Sequence, residues 1–281
     1  MSRLMVWTAG HMPPHALRWV SSLRYRFPVL APWLSRAGDM VRGRDAIIQH
    51  GIGKGLRFNC GPSMAGYVFG YMEEHVQEIL TEYVKPGMVA YDIGANVGFL
   101  SILMARLVGP TGQIVCFEPM PQNAQAIRHN VELNDFKHVV VREEAVGDHE
   151  GQVSLMVDHF SSNHRLELTG KKIARQEGTI TVQLRNLDSL ARVAPELRPP
   201  NLIKMDAEGV EVMILRGAKE LLARARPVML IELHGTNREM AEVLREIRYD
   251  YKIVGNETAE TRSKPLEEAH WNVHILATPK D

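Results

Sequence analysis

The stretch YDIGANVG, residues 91–98, decides the fold, because it joins an apolar run of strand length to one of helical length. The run before it, MVAYDIG, is typical of a buried strand, and the run after it, FLSILMARLV, is typical of a helix. Gly94 and Gly98 predict a tight turn whose backbone a ligand can approach without meeting a Cβ atom. Asp92 ends the strand, and its negative charge suits a cationic ligand group better than a pyrophosphate.

The alternation of strand and helix continues along most of the chain. Patterns of the two kinds follow one another in the order MVAYDIG, FLSILMARLV, QIVCFEP, NAQAIRHNVELN, HVVVREEAV, NLIKMD, VEVMILRGAKELLARA, PVMLIEL, NREMAEVLREIR, YKIVG and WNVHILATP. Parallel strands joined by crossover helices produce this order, so we expect an open α/β sheet with helices on both faces. GQVSLMVD and TITVQLRNLD alternate with period two and predict a paired insertion.

The N-terminal part of the chain differs in charge from the rest. Residues 1–60 contain nine Lys and Arg against two Asp, a net charge of +7, and because the whole chain is neutral the remainder carries −7. Three of the four tryptophans also lie there. We expect a basic extension with a β-hairpin (47–58) over residues 1–71 and one α/β domain over residues 72–281. For residues 1–45 we favour a lid or a homodimer contact; peripheral contact with an anionic membrane is the alternative.

The composition excludes several classes of protein. The 281 residues are 45% hydrophobic and 23% charged, which excludes a disordered or collagen-like chain. Cys60 and Cys116 are too few for a disulfide framework or a zinc finger. No apolar stretch reaches the ~20 residues of a membrane-spanning helix, and the start lacks the apolar block of a signal peptide. We therefore expect a cytoplasmic protein without a nucleic-acid partner.

A second acidic residue indicates the kind of ligand. Glu118 ends the strand IVCFE, one strand–helix–strand step after the glycine-rich turn. An acid at that place accepts both ribose hydroxyls of a nucleoside, in nicotinamide enzymes and in adenosylmethionine enzymes alike. The turn has the spacing GxxxG rather than the GxGxxG of nicotinamide-binding proteins. Together with Asp92, which would hold a positive amino group, Glu118 favours S-adenosylmethionine.

Several motifs resemble the FkbM family of methyltransferases. They are YDIGANVGFLS, FEPMPQN, the AVGD turn, and IKMDAEGVEVMILRGA followed by RPVMLIELH. GKGLRF and GYMEEHV upstream also resemble the start of that family's pattern, so the similarity spans about residues 47–234. The resemblance implies a class I, Rossmann-like methyltransferase fold with seven strands, one of them antiparallel. It also implies acceptors that are hydroxyl groups of sugars, glycolipids, polyketides or related small molecules. Ala95, Asn96 and Pro119 join the expected cofactor site with these motifs.

Two further segments complete the expected site. Glu144 and Ala145, at the end of the next strand, border the adenine, although a turn opened by Gly147 explains them equally well. Asp206 ends the strand NLIKMD, where it would lie near the transferred methyl group. For Glu208 and Glu211, a place in the first turn of a helix, where acids are favourable, is as good an explanation as a role in the site. The polar loop 159–164 is a candidate for acceptor selection.

The expected proton acceptor is His234, at the end of the strand after Asp206. A histidine at this edge can remove a hydroxyl proton near neutral pH, with Asp206 and Glu232 orienting it or the substrate. The same three residues could instead hold a divalent cation, and we favour the metal-free interpretation. We expect an S-adenosylmethionine-dependent O-methyltransferase. The alternatives are a nicotinamide-dependent oxidoreductase and a nucleoside-binding protein without catalysis.

Overall fold

The structure is a computed structural model that describes residues 42–61, 63–158, 165–166, 176–255 and 258–280. Residues 1–41 and the polar loop 159–164 lie outside the described residues, so the predictions of a lid, a dimer contact, a membrane contact and an acceptor-selecting loop stay predictions. Among the described residues, each helix is too short or too polar to cross a bilayer.

The strands and helices follow the predicted alternation. The strands are β1 (Ala46–Ile47), β2 (Arg57–Phe58), β3 (Val89–Ile93), β4 (Gln113–Phe117), β5 (Val139–Arg142), β6 (Ala145–Val146), β7 (Gly151–Asp158), β8 (Arg165–Leu166), β9 (Gln176–Arg185), β10 (Leu202–Met205), β11 (Val228–His234), β12 (Tyr249–Val254) and β13 (Asn272–Pro279). The helices are α1 (Gly66–Phe69), α2 (Glu74–Tyr83), α3 (Phe99–Val108), α4 (Pro121–Leu133), α5 (Leu187–Val193), α6 (Glu211–Arg216), α7 (Lys219–Ala225), α8 (Asn237–Glu246) and α9 (Ala259–Ser263), with a 3₁₀ turn at Leu266–Glu268.

Seven strands form one sheet in the order β5-β4-β3-β10-β11-β13-β12. All neighbours are parallel except at β13, which is antiparallel to both β11 and β12. This confirms the predicted α/β sheet with one antiparallel strand near the C-terminus. The chain runs outward from β3 to β5 and then returns to β10 on the other side of β3. Because strand order reverses there, the carboxyl ends of β3 and β10 border the crevice where open α/β sheets bind ligands.

The sheet is covered on both faces because its strands alternate their side chains between two cores. Tyr91 and Ile93 of β3 face the core shared with α6, α7 and α8, and Ala90 faces the core shared with α2 and α3. Cys116 is fully buried in the second of these cores, as predicted, and both Cys60 and Cys116 are free thiols.

Two predicted elements are divided in the structure. HVVVREEAV is not one strand: β5 stays in the main sheet, whereas β6 leaves it and pairs with β9, in a second sheet of order β6-β9-β7-β8. VEVMILRGAKELLARA is two helices that meet at Gly217, where a Cβ atom would lie 2.1 Å from the carbonyl oxygen of Gly147. The predicted hairpin and paired insertion are both present, as β1–β2 and β7–β9.

Candidate active site

The carboxyl edge of the sheet opens into a cavity of about 650 Å³, here called the first cavity. Seven of the residues predicted for the cofactor line it: Gly94, Asn96, Glu118, Pro119, Glu144, Ala145 and Asp206. They come from the ends of three neighbouring strands of the main sheet and from β6.

Glu118 is held in the wall of this cavity by hydrogen bonds from three N–H donors. Its Oε2 accepts from the backbone N–H of Asn96 at 2.8 Å, and its Oε1 accepts from Met120 N at 3.0 Å and from Asn123 Nδ2 at 3.4 Å. Burial raises the pKa of Glu118 to about 7, although these hydrogen bonds oppose the change. A carboxylate offers about four lone-pair positions, so Glu118 retains capacity for hydroxyl donors from a ribose.

The apolar wall beside Glu118 was not predicted. Phe117, Val146, Leu155, Val210 and Ile214 line the first cavity together with the polar Asn123. The apolar surface fits a flat base such as adenine, and Glu118 fits the ribose next to it, so the residues present suit a nucleoside. Val146 and Leu155 come from the second sheet, whose packing against the main sheet no local sequence pattern specifies.

Packing around the turn after β3 requires glycine at both Gly94 and Gly98. Gly94 has a φ of +75°, and a Cβ atom there would lie 1.8 Å from the carbonyl oxygen of Asp206. Gly98 has a φ of +80° at the start of α3, lies against Ile127 and lines neither cavity of the site. The turn must fit between β10 and α4, which gives both glycines a structural reason; that they also admit the ligand stays a prediction, and Gly94 lines both cavities of the site.

Asp92 is not exposed to the first cavity. It is fully buried, its Oδ2 accepts from the Ser101 hydroxyl at 2.5 Å, and its Oδ1 lies 3.4 Å from Lys204 Nζ. Asp92 lines neither cavity of the site, and its predicted contact with the cofactor amino group stays a prediction. Its observed partner is the Lys204 ammonium group.

Glu144 and Ala145 border the first cavity as predicted, but the carboxylate of Glu144 is already paired. It accepts from Arg142 Nε at 2.8 Å and from Arg185 Nε at 3.1 Å. The side chain therefore fixes the junction between β5 and β9. Contact with the adenine through Glu144 and Ala145 stays a prediction.

A cluster of acidic residues surrounds His234 at the ends of β10 and β11. His234 Nε2 lies 3.7 Å from Asp206 Oδ1, 3.8 Å from Glu232 Oε1 and 4.0 Å from Glu208 Oε2. The three predicted residues, Asp206, Glu232 and His234, are thus together in space. Asp206 lines the first cavity, whereas His234 is only 4% exposed.

Glu211 fixes the imidazole of His234, a role that the sequence did not predict. Its Oε1 accepts from the backbone N–H of Gly209 at 2.8 Å and lies 3.1 Å from His234 Nδ1. Glu211 is fully buried, so it does more than complement the positive end of α6. An acid three residues after Glu208 in the motif DAEGVE carries no sequence signal for this contact.

The charges of the cluster shift its pKa values in opposite directions. Burial lowers the pKa of His234, but the Glu211 hydrogen bond and the charge of Asp206 outweigh it and raise the pKa to about 9. Burial raises the pKa of Asp206 to about 7, against the opposing charge of Lys204. Burial alone would raise the pKa of Glu232, but the hydrogen bond from His274 lowers it to about 2. The carboxylates around His234 therefore favour its protonated form, and burial favours the protonated form of Asp206.

The cluster also has the composition of a cation site. Ligand atoms of Asp206, Glu232 and His234 all lie within 4.8 Å of one another. His234 has its second ring nitrogen on the carboxylate of Glu211, an arrangement common for metal-binding histidines. Lys204 already supplies one cation, with its Nζ 3.9 Å from Asp206 Oδ2.

A smaller, second cavity of about 310 Å³ adjoins the first. Gly94, Asn96 and Asp206 line both, so the two are neighbours along the turn after β3. Tyr67, Glu73, Ala95 and Lys204 also line the second cavity. Ala95 thus borders the site, and its contact with the cofactor stays a prediction. Glu73 lies in the motif GYMEEHV just before α2, for which sequence analysis named no role in the site.

The chain is similar to several proteins that are named as methyltransferases. The profile of the FkbM methyltransferase domain matches residues 92–253. A 2-O-methyltransferase, NoeI of Sinorhizobium fredii, is 28% identical over 162 residues, which cover 53% of this chain and 65% of NoeI, just under two thirds of its length. The hexuronic acid methyltransferase AglP of Haloferax volcanii is 23% identical over 183 residues, or 64% of this chain and 71% of AglP. The methyltransferase FkbM of Methylobacillus flagellatus superposes with a TM-score of 0.45 and 16% identity, over 76% of this chain and 53% of that one.

The family profile begins at Asp92, runs through the glycine turn, Glu118, Asp206 and His234, and ends on β12. The matched region thus contains every strand end that contributes to the first cavity and to the acidic cluster around His234. The match covers more than half of the chain. The protein therefore belongs to the FkbM family of S-adenosylmethionine-dependent methyltransferases, with the class I methyltransferase fold.

Proposed function

We propose that the protein transfers the methyl group of S-adenosylmethionine to a hydroxyl group of a sugar or a sugar-containing small molecule. The observation that carries the proposal is the position of Asp206. This residue lines the first cavity, which suits a nucleoside, and its carboxylate also belongs to the acidic cluster around His234. Two relatives support it by their names: the 2-O-methyltransferase NoeI supports transfer to a hydroxyl group, and the hexuronic acid methyltransferase AglP supports a sugar acceptor.

For this reaction the protein must align the cofactor with the acceptor hydroxyl group and remove one proton from that hydroxyl group. The cofactor, when bound, supplies a methyl group on a positively charged sulfur. The acceptor oxygen forms the new C–O bond as the C–S bond breaks, and the hydroxyl proton must leave for a nearby base. Glu118 would fix the ribose, and the apolar wall with Phe117 would hold the adenine.

Asp206 suits the base better than His234. The pKa of His234, near 9, leaves its imidazole protonated at neutral pH, without a lone pair for the substrate proton. The pKa of Asp206, near 7, is the value that favours proton transfer at that pH. We infer that Asp206 accepts the proton while the His234 cation stabilises the charges around it, with Glu211 holding the ring.

A panel of acceptors with radiolabelled S-adenosylmethionine tests the proposal. Neutral hexoses, hexuronic acids, a catechol and a peptide are offered at equal concentration, and the position of the new methyl group is read by NMR. We expect an O-methyl ether on a sugar carbon, formed about 10²–10⁴-fold more slowly by the Asp206→Asn variant. Methylation of the catechol or peptide alone would contradict the sugar acceptor, and cofactor binding without transfer to any acceptor would support the non-catalytic alternative.

A further inference from the structure

The second cavity contains charges that the proposed contacts to the adenosine do not use. Glu73, Lys204 and Asp206 line it, whereas Glu118 lines the first cavity only. Because Gly94 and Asn96 line both cavities, a ligand with its nucleoside in the first cavity can extend into the second. The second cavity therefore faces the part of the ligand beyond the ribose.

Glu73 has an unusual backbone conformation at the mouth of this cavity. It lies directly before α2 with a φ of 52° and a ψ of 40°, a left-handed conformation that is unfavourable for a residue with a Cβ atom. Its side chain makes no capping hydrogen bond to α2. Instead its Oε1 accepts from the Tyr67 hydroxyl at 3.1 Å, and burial raises its pKa. The strained backbone thus directs a carboxylate toward the cavity rather than toward its own helix.

The other groups around the second cavity are mostly acceptors. The buried Oδ1 atom of Asn96, which lines the second cavity, has no hydrogen-bond donor among the described residues. The nearby cation, Lys204, lies 3.4 Å from Asp92 Oδ1 and donates to the carbonyl oxygen of Gly94 at 3.3 Å. An ammonium group has three donors and no acceptor, so it complements this set.

We propose that Glu73 binds the α-ammonium group of the cofactor's methionine moiety, which makes the second cavity the amino-acid end of the cofactor site. This inference rests on the proposed function. It gives to Glu73 the contact that the sequence assigned to Asp92. The carboxylate of the same moiety is then directed to the first turn of α3, where Phe99 and Leu100 line the cavity and a helix N-terminus favours an anion.

Two nucleosides that differ only in the amino-acid end separate this contact from the rest of the site. S-adenosylhomocysteine has the α-amino acid, and 5′-methylthioadenosine lacks it. Calorimetric titration of each measures affinity without any turnover. The variants are Glu73→Gln, Glu118→Gln, and the matched control Glu78→Gln on an exposed position of α2. Glutamine at 73 keeps an oxygen for the Tyr67 hydroxyl, and thermal unfolding checks that each variant is folded.

We expect Glu73→Gln to weaken S-adenosylhomocysteine binding roughly 10–100-fold, as loss of a charge-assisted hydrogen bond does, and to leave 5′-methylthioadenosine binding unchanged. Glu118→Gln weakens both ligands, and Glu78→Gln weakens neither. Equal losses for the two ligands in Glu73→Gln, or no loss for either, overturn the role of Glu73 while leaving the adenosine site intact. A wild-type protein that binds neither nucleoside overturns the proposed function as well.

Discussion

Glu118 and Asp206 are carboxylates on either side of β3, one after β4 and one after β10, and burial raises the pKa of each to about 7. Their partners differ. Glu118 accepts hydrogen bonds from three N–H groups, whereas Asp206 Oδ1 has no hydrogen-bond donor among the described residues and faces the charged His234 at 3.7 Å. The carboxylate of Glu118 is thus fixed for binding a ligand, whereas the carboxylate of Asp206 is able to accept a proton.

Replacement of the proton acceptor has the largest expected effect. Asp206→Asn keeps the size of the side chain but removes its basicity, so turnover falls about 10²–10⁴-fold, the usual contribution of a general base. Affinity for the cofactor changes little, because Asn still lines the cavity. Initial rates at saturating cofactor and acceptor measure this. If His234 is the base instead, His234→Gln causes the greater loss and Asp206→Asn the smaller.

The pH dependence of cofactor binding tests the role of the other carboxylate, Glu118. Ribose hydroxyls donate to the ionised form of Glu118, so affinity for S-adenosylhomocysteine falls as the pH drops below about 7, by up to tenfold per unit. The decline is weaker in Glu118→Gln, where no charge titrates at this position. Calorimetry between pH 5.5 and 8.5 supplies the curve. A wild-type affinity that is constant over this range would show that Glu118 is ionised throughout.

The smallest effect is expected from chelation. Lys204 and the protonated His234 already place two cations among the carboxylates of the cluster, so turnover in excess EDTA should equal turnover in buffer. Radiolabel transfer before and after dialysis against the chelator measures this. Loss of activity that magnesium restores would instead assign Asp206, Glu232 and His234 to a divalent cation.

Elements with one regular period were predictable from the sequence, and so were residues at strand ends. The helix predicted at FLSILMARLV is α3 to the residue, and Asp206 and His234 lie together because parallel neighbours end at one edge. HVVVREEAV looked like one strand because its pattern is continuous, and only pairing with β9 divides it. A local sequence pattern contains no information on pairing with a strand so far along the chain.

Contacts between distant segments were the part of the site that sequence could not specify. Asp92 was predicted to face the ligand from its place at a strand end, but burial against Lys204 and Ser101 depends on which way the side chain turns. Glu73 became visible only through its left-handed backbone and its place beside Lys204, 131 positions along the chain. Glu211 was correctly placed at the start of a helix, yet its bond to His234 needs the packing of α6 on β11.

The most direct test asks whether Glu118 binds the cofactor while Asp206 accepts the proton, and it measures two quantities on two variants. The dissociation constant of S-adenosylhomocysteine and the turnover at saturating cofactor are determined for Glu118→Gln and Asp206→Asn side by side. A crossed pattern is predicted: Glu118→Gln weakens binding roughly 10–100-fold with turnover nearly retained, and Asp206→Asn lowers turnover with binding nearly retained. If each variant loses both binding and turnover to the same extent, the two carboxylates do not have separate roles and the account is wrong.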